Sequence, residues 1–390
     1  MMNIHKRLLI GMLAGFSAAA FAQPQPELRI GFIGMLSGAG AAWGTSVGNS
    51  VQMVVDDVNA KGGLEVAGRK YKVTVIPYDD KYKPNEAVTA LNRLIFDDKV
   101  KFVVGPMGGA PGLAALPLAT ENKVITISFG WADKILTPEY KYNFRATVPS
   151  QVFANAQLKW VVGKLGVRRV GALFASDASG QDAAKVFETA YEQAGAKLVA
   201  KESFERERVD FVPLLTRVLA QNIDAFELNS NAPASAGLMV KQLRELGFKG
   251  AIVSTNADTV AEMLRIAGPA ATNDMYVHQG LDAGTPAMKE HARRYLDRFK
   301  VPMVTNGPPA AVAVQRMLTA MQKAGTVTDT DKVLAAMDAL PPEETMLGRT
   351  EWYGQARWGI NHQLFSPFYI GQLKNGQVSI VAKCTPEKCE

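Results

Sequence analysis

The 390-residue chain is long enough for two domains of ordinary size, and 47% hydrophobic against 21% charged residues describes a soluble, folded protein. Its 43 Lys and Arg and 37 Asp and Glu leave a formal charge of +6. These charges are interspersed, and the clustered basic patch with interleaved aromatics that marks a nucleic-acid surface is missing from the sequence.

The first 22 residues stand apart. Lys6-Arg7 precede an apolar run over residues 8–22 that ends in Ala20-Phe21-Ala22. This is the pattern of a cleaved secretory signal peptide, and the run is too short for a comfortable membrane span. No Cys stands at the expected cleavage point, so a lipid anchor is not expected, and the mature chain is expected to be exported. Loss of Lys6 and Arg7 takes the charge from +6 to +4.

The mature chain opens with a strand over 28–35, a Gly/Ala loop over 36–43 and an amphipathic helix over 45–59 stopped by Lys61-Gly62-Gly63. A strand over 72–78 leads to Asp79-Asp80, a polar loop and a helix from Pro84 to about Asp97. The next stretch organises the rest. The apolar run 100–104 reads as a buried strand, Gly105-Pro106-Met107-Gly108-Gly109 breaks it, and 110–121 has helical composition with Pro111 in the first turn. A second apolar run, 124–127, is followed by Ser128-Phe129-Gly130-Trp131. Two loops therefore leave the same end of a parallel sheet, where ligands bind in open α/β sheets, and a helix N-terminus there offers N–H groups to an anion.

After an extended segment at 142–147, Val148-Pro149-Ser150 reads as a crossover into a second α/β series. Helices are expected at 151–165, 181–194, 211–220, 234–246 and 259–267, and strands at 169–174, 197–204, 224–228, 251–254 and 275–278. Helices then follow at 286–300, 308–324 and 331–339. The tail carries two strands around Lys374-Asn375-Gly376, a hairpin signal. The fold class is α/β: two Rossmann-like lobes with mostly parallel sheets. The two cysteines, Cys384 and Cys389, suit a small tail disulfide in an exported protein. No metal site is expected, because two thiols lack a nearby His and His278, His291 and His362 are far apart. No cofactor is expected either: G-x-G-x-x-G and the Walker lysine motif are missing.

The chain from residue 28 to 382 resembles the leucine/isoleucine/valine-type periplasmic solute-binding proteins of ABC transporters. The resemblance rests on the order and spacing of several segments: Asn59-Ala60-Lys61-Gly62-Gly63, Tyr78-Asp79-Asp80, VKFVVGPMGGAPG, VITISFG, FRATVPSQVFANA and DFVPLLTRVLAQNIDAFELN. It implies the type I periplasmic binding fold, with three crossovers near 146–150, 277–280 and 345–348 and lobes that close on the ligand. The expected division is 27–147 plus 280–345 for the N-terminal lobe and 148–279 plus 346–382 for the C-terminal lobe, with a tail at 383–390. The implied partners are a small-molecule ligand, an amino acid or organic acid, and a membrane permease; nucleic acid is not among them, and the protein is expected as a monomer.

The resemblance implies a carboxylate site at a Ser after strand three and a Thr after strand four, and an acidic partner for the ligand ammonium in the second lobe. In this sequence those positions are Gly109, Ala132 and Asn256. Backbone donors at Gly108, Gly109, Ala110, Gly130 and Trp131 remain, with Ser128 beside them. Asp258 is the expected substitute for the acid, ahead of Asp177 and Glu227, because a buried cation without a carboxylate is costly. Trp43 and Trp131 are expected to form a flat apolar slot. Ser179, Asn229, Ser230 and Asn231 are candidate polar contacts, whereas Arg145 reads as structural. The function expected is solute capture for an ABC uptake transporter. The ligand is either a branched-chain or other apolar amino acid, or an aromatic or aliphatic carboxylate or amide without the amino group; a sensor subunit is the alternative role. Gly44-Thr45-Ser46-Val47-Gly48 matches the nucleophile-elbow pattern, but no sharp strand-to-helix turn precedes Ser46, so an enzyme is not expected.

Overall fold

The computed structural model describes residues 25–229, 231–255 and 260–390. The expected signal peptide, Ser230, Asn256 and Asp258 lie outside the described residues. The first lobe begins with β1 (Glu27–Gly34), α1 (Ala41–Ala60), β2 (Leu64–Val66), β3 (Arg69–Asp79), α2 (Pro84–Asn92), β4 (Phe102–Met107), α3 (Gly109–Glu121), β5 (Ile125–Phe129) and β6 (Asn143–Arg145). The second follows as α4 (Ser150–Leu165), β7 (Arg169–Ala175), α5 (Ala178–Ala194), β8 (Lys197–Phe204), α6 (Val212–Leu219), β9 (Ala225–Glu227), α7 (Pro233–Glu245), β10 (Ala251–Ser254), α8 (Val260–Thr272) and β11 (Tyr276–Gln279). The chain then returns through α9 (Pro286–Phe299), α10 (Gly307–Ala324), α11 (Thr330–Asp338), β12 (Glu343–Thr345), β13 (Gly348–Tyr353), α12 (Gln355–Trp358) and β14 (Gln363–Phe365). It ends with β15 (Phe368–Lys374) and β16 (Gln377–Cys384).

Nine strands form one sheet in the order β12-β13-β14-β6-β5-β4-β1-β3-β2, and seven form the other in the order β16-β15-β11-β10-β9-β7-β8. The central strands pair in parallel, and antiparallel pairs are confined to the edges. β4 and β5 are buried at every position, as strands covered by helices on both faces must be. α5 shows how local chemistry sets an element: Asp177 accepts the Gly180 N–H at its start, and Gly195 in the left-handed conformation ends it. Cys384 and Cys389 are joined as a disulfide that closes the tail behind β16.

Three expectations need correction. The stretch 345–348 is not a crossover but the turn of the β12/β13 hairpin, with Gly348 at φ 87°. β13 and β14 then extend the first sheet, so residues up to Phe365 belong there and the chain passes to the second sheet only at Ser366-Pro367. The reason is pairing: β14 lies parallel to β6, with Gln363 opposite Arg145. α1 starts at Ala41, which puts Trp43 in its first turn rather than in a loop. Gly44 makes this possible, since a Cβ there would strike the Met35 carbonyl. β4 also runs on through Gly105-Pro106 to Met107 instead of breaking at Gly105.

Candidate functional site

In the first sheet β1 lies beside β4 on one side and β3 on the other; in the second, β7 lies between β8 and β9. At such switch points the loops diverge and open a crevice at the C-terminal strand ends. The two crevices meet. Met35 follows β1, Met107 ends β4 with Gly108 just after it, and Phe129 ends β5. Together with Trp43, Tyr82, Trp131 and Asn306 they line an inner hollow of about 410 Å³, open mouth included, which Ser179 and Arg206 complete from the second lobe. An adjoining outer hollow of about 440 Å³ shares Met35, Trp43, Tyr82 and Arg206 and reaches past the loop 37–40, Lys81 and Glu207.

Tyr82 and Arg206 bridge the lobes between these hollows. Tyr82 has φ 59°, and its N–H donates to Asp80 Oδ1 at 2.9 Å. Gly108, at φ 94°, leaves room for the ring, since a Cβ there would collide with it. The Arg206 guanidinium sits 4.6 Å from the Tyr82 ring centre. Its Nε donates to Asp177 Oδ2 at 2.5 Å and its Nη2 to Asp177 Oδ1 at 3.2 Å, with the two side chains 13% and 17% exposed. Burial pushes the Tyr82 phenol up to about 12. Burial works against both charges of the ion pair, yet each partner's field keeps the other ionised: Asp177 is held below its ordinary value and Arg206 above. Beneath Tyr82, burial raises the Asp80 carboxyl to about 7 against the pull of the Tyr82 N–H, and the neighbouring Asp79 adds to the rise.

Among the described residues, two buried polar atoms at the inner hollow have no hydrogen-bond partner. Trp43 Nε1 is one, in a residue only 9% exposed, and Ser179 Oγ is the other, in a residue 4% exposed. The Tyr82 phenol is near enough to Ser179 to feel it, but the geometry forms no bond. Across the cleft, a Cβ on Gly109 would strike both Ser179 Oγ and Ala132 Cβ, so α3 and α5 meet closely here.

The structure brings Trp43, Gly108, Trp131 and Ser179 together at the hollow. It places other expected contacts elsewhere. Ser128 donates to the Phe144 carbonyl at 3.3 Å within the sheet. Ala132 packs with Leu116 and Ile135. Gly109, Ala110 and Gly130 do not line the hollow, and the Gly108 N–H is already given to the Phe129 carbonyl. Asn229 Nδ2 donates to Leu173 O at 2.7 Å and Asn231 Nδ2 to Leu228 O at 2.6 Å; both brace the loop after β9. The physical reason is common to these positions: groups at strand ends satisfy the neighbouring backbone before they reach a ligand.

Of the lesser acids, Asp177 is engaged by Arg206, and Glu227 accepts from Tyr191 Oη and from the Asn229 and Thr255 N–H groups. Burial leads the effects on Glu227 and raises it to about 6. Arg145 is buried; its Nε donates to Gln363 Oε1 at 2.5 Å, its guanidinium lies 4.5 Å from the Trp358 ring, and burial lowers it to about 10. Ser46 is no exposed nucleophile, since its hydroxyl donates to Val304 O at 3.0 Å and accepts from Val304 N at 3.1 Å. Among the described residues no group of three or more His, Cys, Asp or Glu is placed to hold a metal, and no helix is long and apolar enough to cross a membrane.

Sequence reasoning missed Met35, Tyr82, Met107, Phe129, Arg206 and Asn306 as lining residues. The signal for Tyr82 was an aromatic side chain in a polar loop, and for Arg206 a position just past a strand end in Glu205-Arg206-Glu207-Arg208.

Residues 27–377 match the model of the periplasmic binding protein family. The chain is 25% identical over 351 residues to the Leu/Ile/Val-binding protein BraC3 of Rhizobium johnstonii, covering 90% of this chain and 93% of that protein. Its fold is similar to the branched-chain amino acid transporter substrate-binding protein LivJ of Streptococcus pneumoniae in complex with isoleucine, with TM-score 0.78, 24% identity and coverage of 92% and 100%. It is equally similar to an ABC transporter solute-binding protein of R. palustris in complex with benzoate, with TM-score 0.80, 18% identity and coverage of 92% and 97%. With its two mostly parallel sheets and facing switch points, the chain belongs to the periplasmic binding protein family.

Proposed function

We propose that this protein is the solute-binding component of an ABC uptake transporter, exported to the periplasm with loss of its leader, and that it captures a small organic solute by closure of its two lobes. One observation carries the reading: a hollow at the meeting of two switch points, walled by Met35, Trp43, Met107, Phe129 and Trp131 and touched from both lobes. Such a wall suits the apolar body of a small ligand, and closure removes that body from water. The protein acts as a monomer, performs no chemistry, and presents its closed form to a membrane permease.

Two ligand classes suit the apolar wall. One is a branched-chain or other apolar amino acid, the kind of ligand named for BraC3 and held by LivJ. The other is a carboxylate without the amino group, the kind held by the R. palustris protein. The engagement of Asp177 and Glu227 favours the second, because neither is free to face an ammonium group. The test is a thermal-shift panel on mature protein refolded once to strip carried-over ligand. It contains leucine, isoleucine, valine and phenylalanine in one arm and benzoate, 4-hydroxybenzoate and aliphatic carboxylates in another. A ligand with micromolar Kd at millimolar concentration stabilises the fold by about 4 kcal/mol. Stabilisation by either arm supports solute capture, and no stabilisation by any small solute refutes it. Dependence of an amino-acid response on Asp258, lost in Asp258→Asn, would choose the first class.

A further inference from the structure

We propose that Arg206 is the residue that reads the charge of the ligand, taking its carboxylate from the second lobe and selecting acids that carry no α-ammonium group. The inference rests on the solute-capture reading above and deepens it. Of the first-lobe groups expected to hold a carboxylate, Gly108 and Ser128 are spent, and Gly109, Ala110 and Gly130 do not line the inner hollow. The Gly108 N–H is bonded to Phe129 O, Pro111 has no N–H, and Ser128 serves Phe144 O. Arg206, by contrast, lines both hollows, and in the inner one it is the charged lining residue. Asp177 occupies only one edge of the guanidinium, through Nε and Nη2. Nη1 has no hydrogen-bond partner among the described residues and keeps its donors for a ligand.

The fork is also held in place. Asp177 fixes it from behind, while its own Oδ1 caps α5 by accepting the Gly180 N–H at 3.0 Å, and the Tyr82 ring covers one face at 4.6 Å. A guanidinium fixed in this way loses little freedom on meeting a carboxylate. Two more unpartnered buried donors, Trp43 Nε1 and Ser179 Oγ, line the same hollow. Three donors beside an apolar wall make a site for a carboxylate on an aromatic or branched body. An ammonium group brought to the same place meets like charge.

The experiment uses mature full-length protein and isothermal titration with benzoate, its neutral counterpart benzamide, and leucine, on wild type, Arg206→Gln, Arg206→Lys and Asp177→Asn. If benzoate and leucine are poor fits, the panel above supplies a better-fitting acid and amino acid, and the amide of that acid takes the place of benzamide. The expected result is that wild type prefers acid over amide, that Arg206→Gln weakens the acid about thirty-fold or more and erases that preference, and that Arg206→Lys restores part of it. Asp177→Asn separates ligand recognition from a merely structural ion pair. It leaves the charge of Arg206 in place but loosens its hold, so acid binding weakens less than in Arg206→Gln and the preference for acid over amide persists; if the pair only holds the fold, Asp177→Asn and Arg206→Gln lose binding and preference alike, which overturns the proposal. Equal acid binding by wild type and Arg206→Gln, or binding confined to amino acids or to amides, overturns Arg206 as the charge reader and leaves solute capture standing. Binding of none of the three classes by wild type overturns both.

Discussion

At the scale of single residues the site is a set of apolar side chains around a few unsatisfied donors. Trp43 and Trp131 carry the largest surfaces, and their loss is expected to weaken ligand binding about tenfold or more in Trp43→Ala and Trp131→Ala, measured by titration. The ligand is also expected to change the indole fluorescence of wild type, because both rings border the hollow. Asp80 gives a separate prediction. Its carboxyl is raised by burial from 3.8 to about 7, so the folded state holds a proton that the unfolded state releases. The contribution is most favourable below about pH 4 and is lost as pH rises through 7, with about 1.4 kcal/mol for each pKa unit between the two states. Asp80→Asn is expected to flatten this part of the stability profile in urea melts between pH 4 and 8; an unchanged slope would show that Asp80 is ionised in the folded protein. Trp43 and Trp131 were legible as pocket residues from their loops, whereas Met35, Met107 and Phe129 read only as core. Met35 and Met107 differ from other buried methionines only in standing at strand ends that the fold brings together.

At the scale of elements, the start of α3 links backbone conformation to the cleft. Gly108 has φ 94° and faces the Tyr82 ring. Gly108→Ala therefore meets both backbone strain and a clash, and a loss of about 1–2 kcal/mol is expected in denaturant unfolding. Displacement of Tyr82 is expected to weaken the hold on Arg206, so ligand affinity falls as well. The tail behaves differently. The Cys384–Cys389 bond spans a sequence separation of 5, and closing so short a loop is worth roughly 2 kcal/mol. Cys384→Ser with Cys389→Ser is expected to lower the melting temperature modestly and leave ligand affinity unchanged, since the bond lies behind β16 and away from the hollow. Element identities were legible because periodicity and Gly punctuation are local. The crossover at 345–348 came from the resemblance and not from any local signal in Thr345-Met346-Leu347-Gly348, and only the partner strands show that the stretch is a hairpin turn.

At the scale of the whole molecule, the lobes touch where Gly109 faces Ser179 and where Tyr82 meets Arg206. Gly109→Val places a branched side chain against Ser179 Oγ and Ala132 Cβ and is expected to hold the cleft open. Small-angle scattering checks this: saturating ligand reduces the radius of gyration of wild type and leaves that of Gly109→Val near its ligand-free value. Equal compaction of both would show that closure does not bring these surfaces together. The amino-acid sequence by itself determined the α/β alternation in two successive series and the Gly turn before α3, because each follows from short-range periodicity and backbone preference. Only the tertiary structure decided which side chains line the hollow beside Trp43, Gly108, Trp131 and Ser179. Ser128, Asn229 and Asn231 look like ligand contacts in sequence and are engaged by neighbouring backbone, while Tyr82 and Arg206, 124 positions apart by their numbering, meet across the cleft. That pairing depends on how two separate sheets pack against each other, and no local pattern in the chain encodes it.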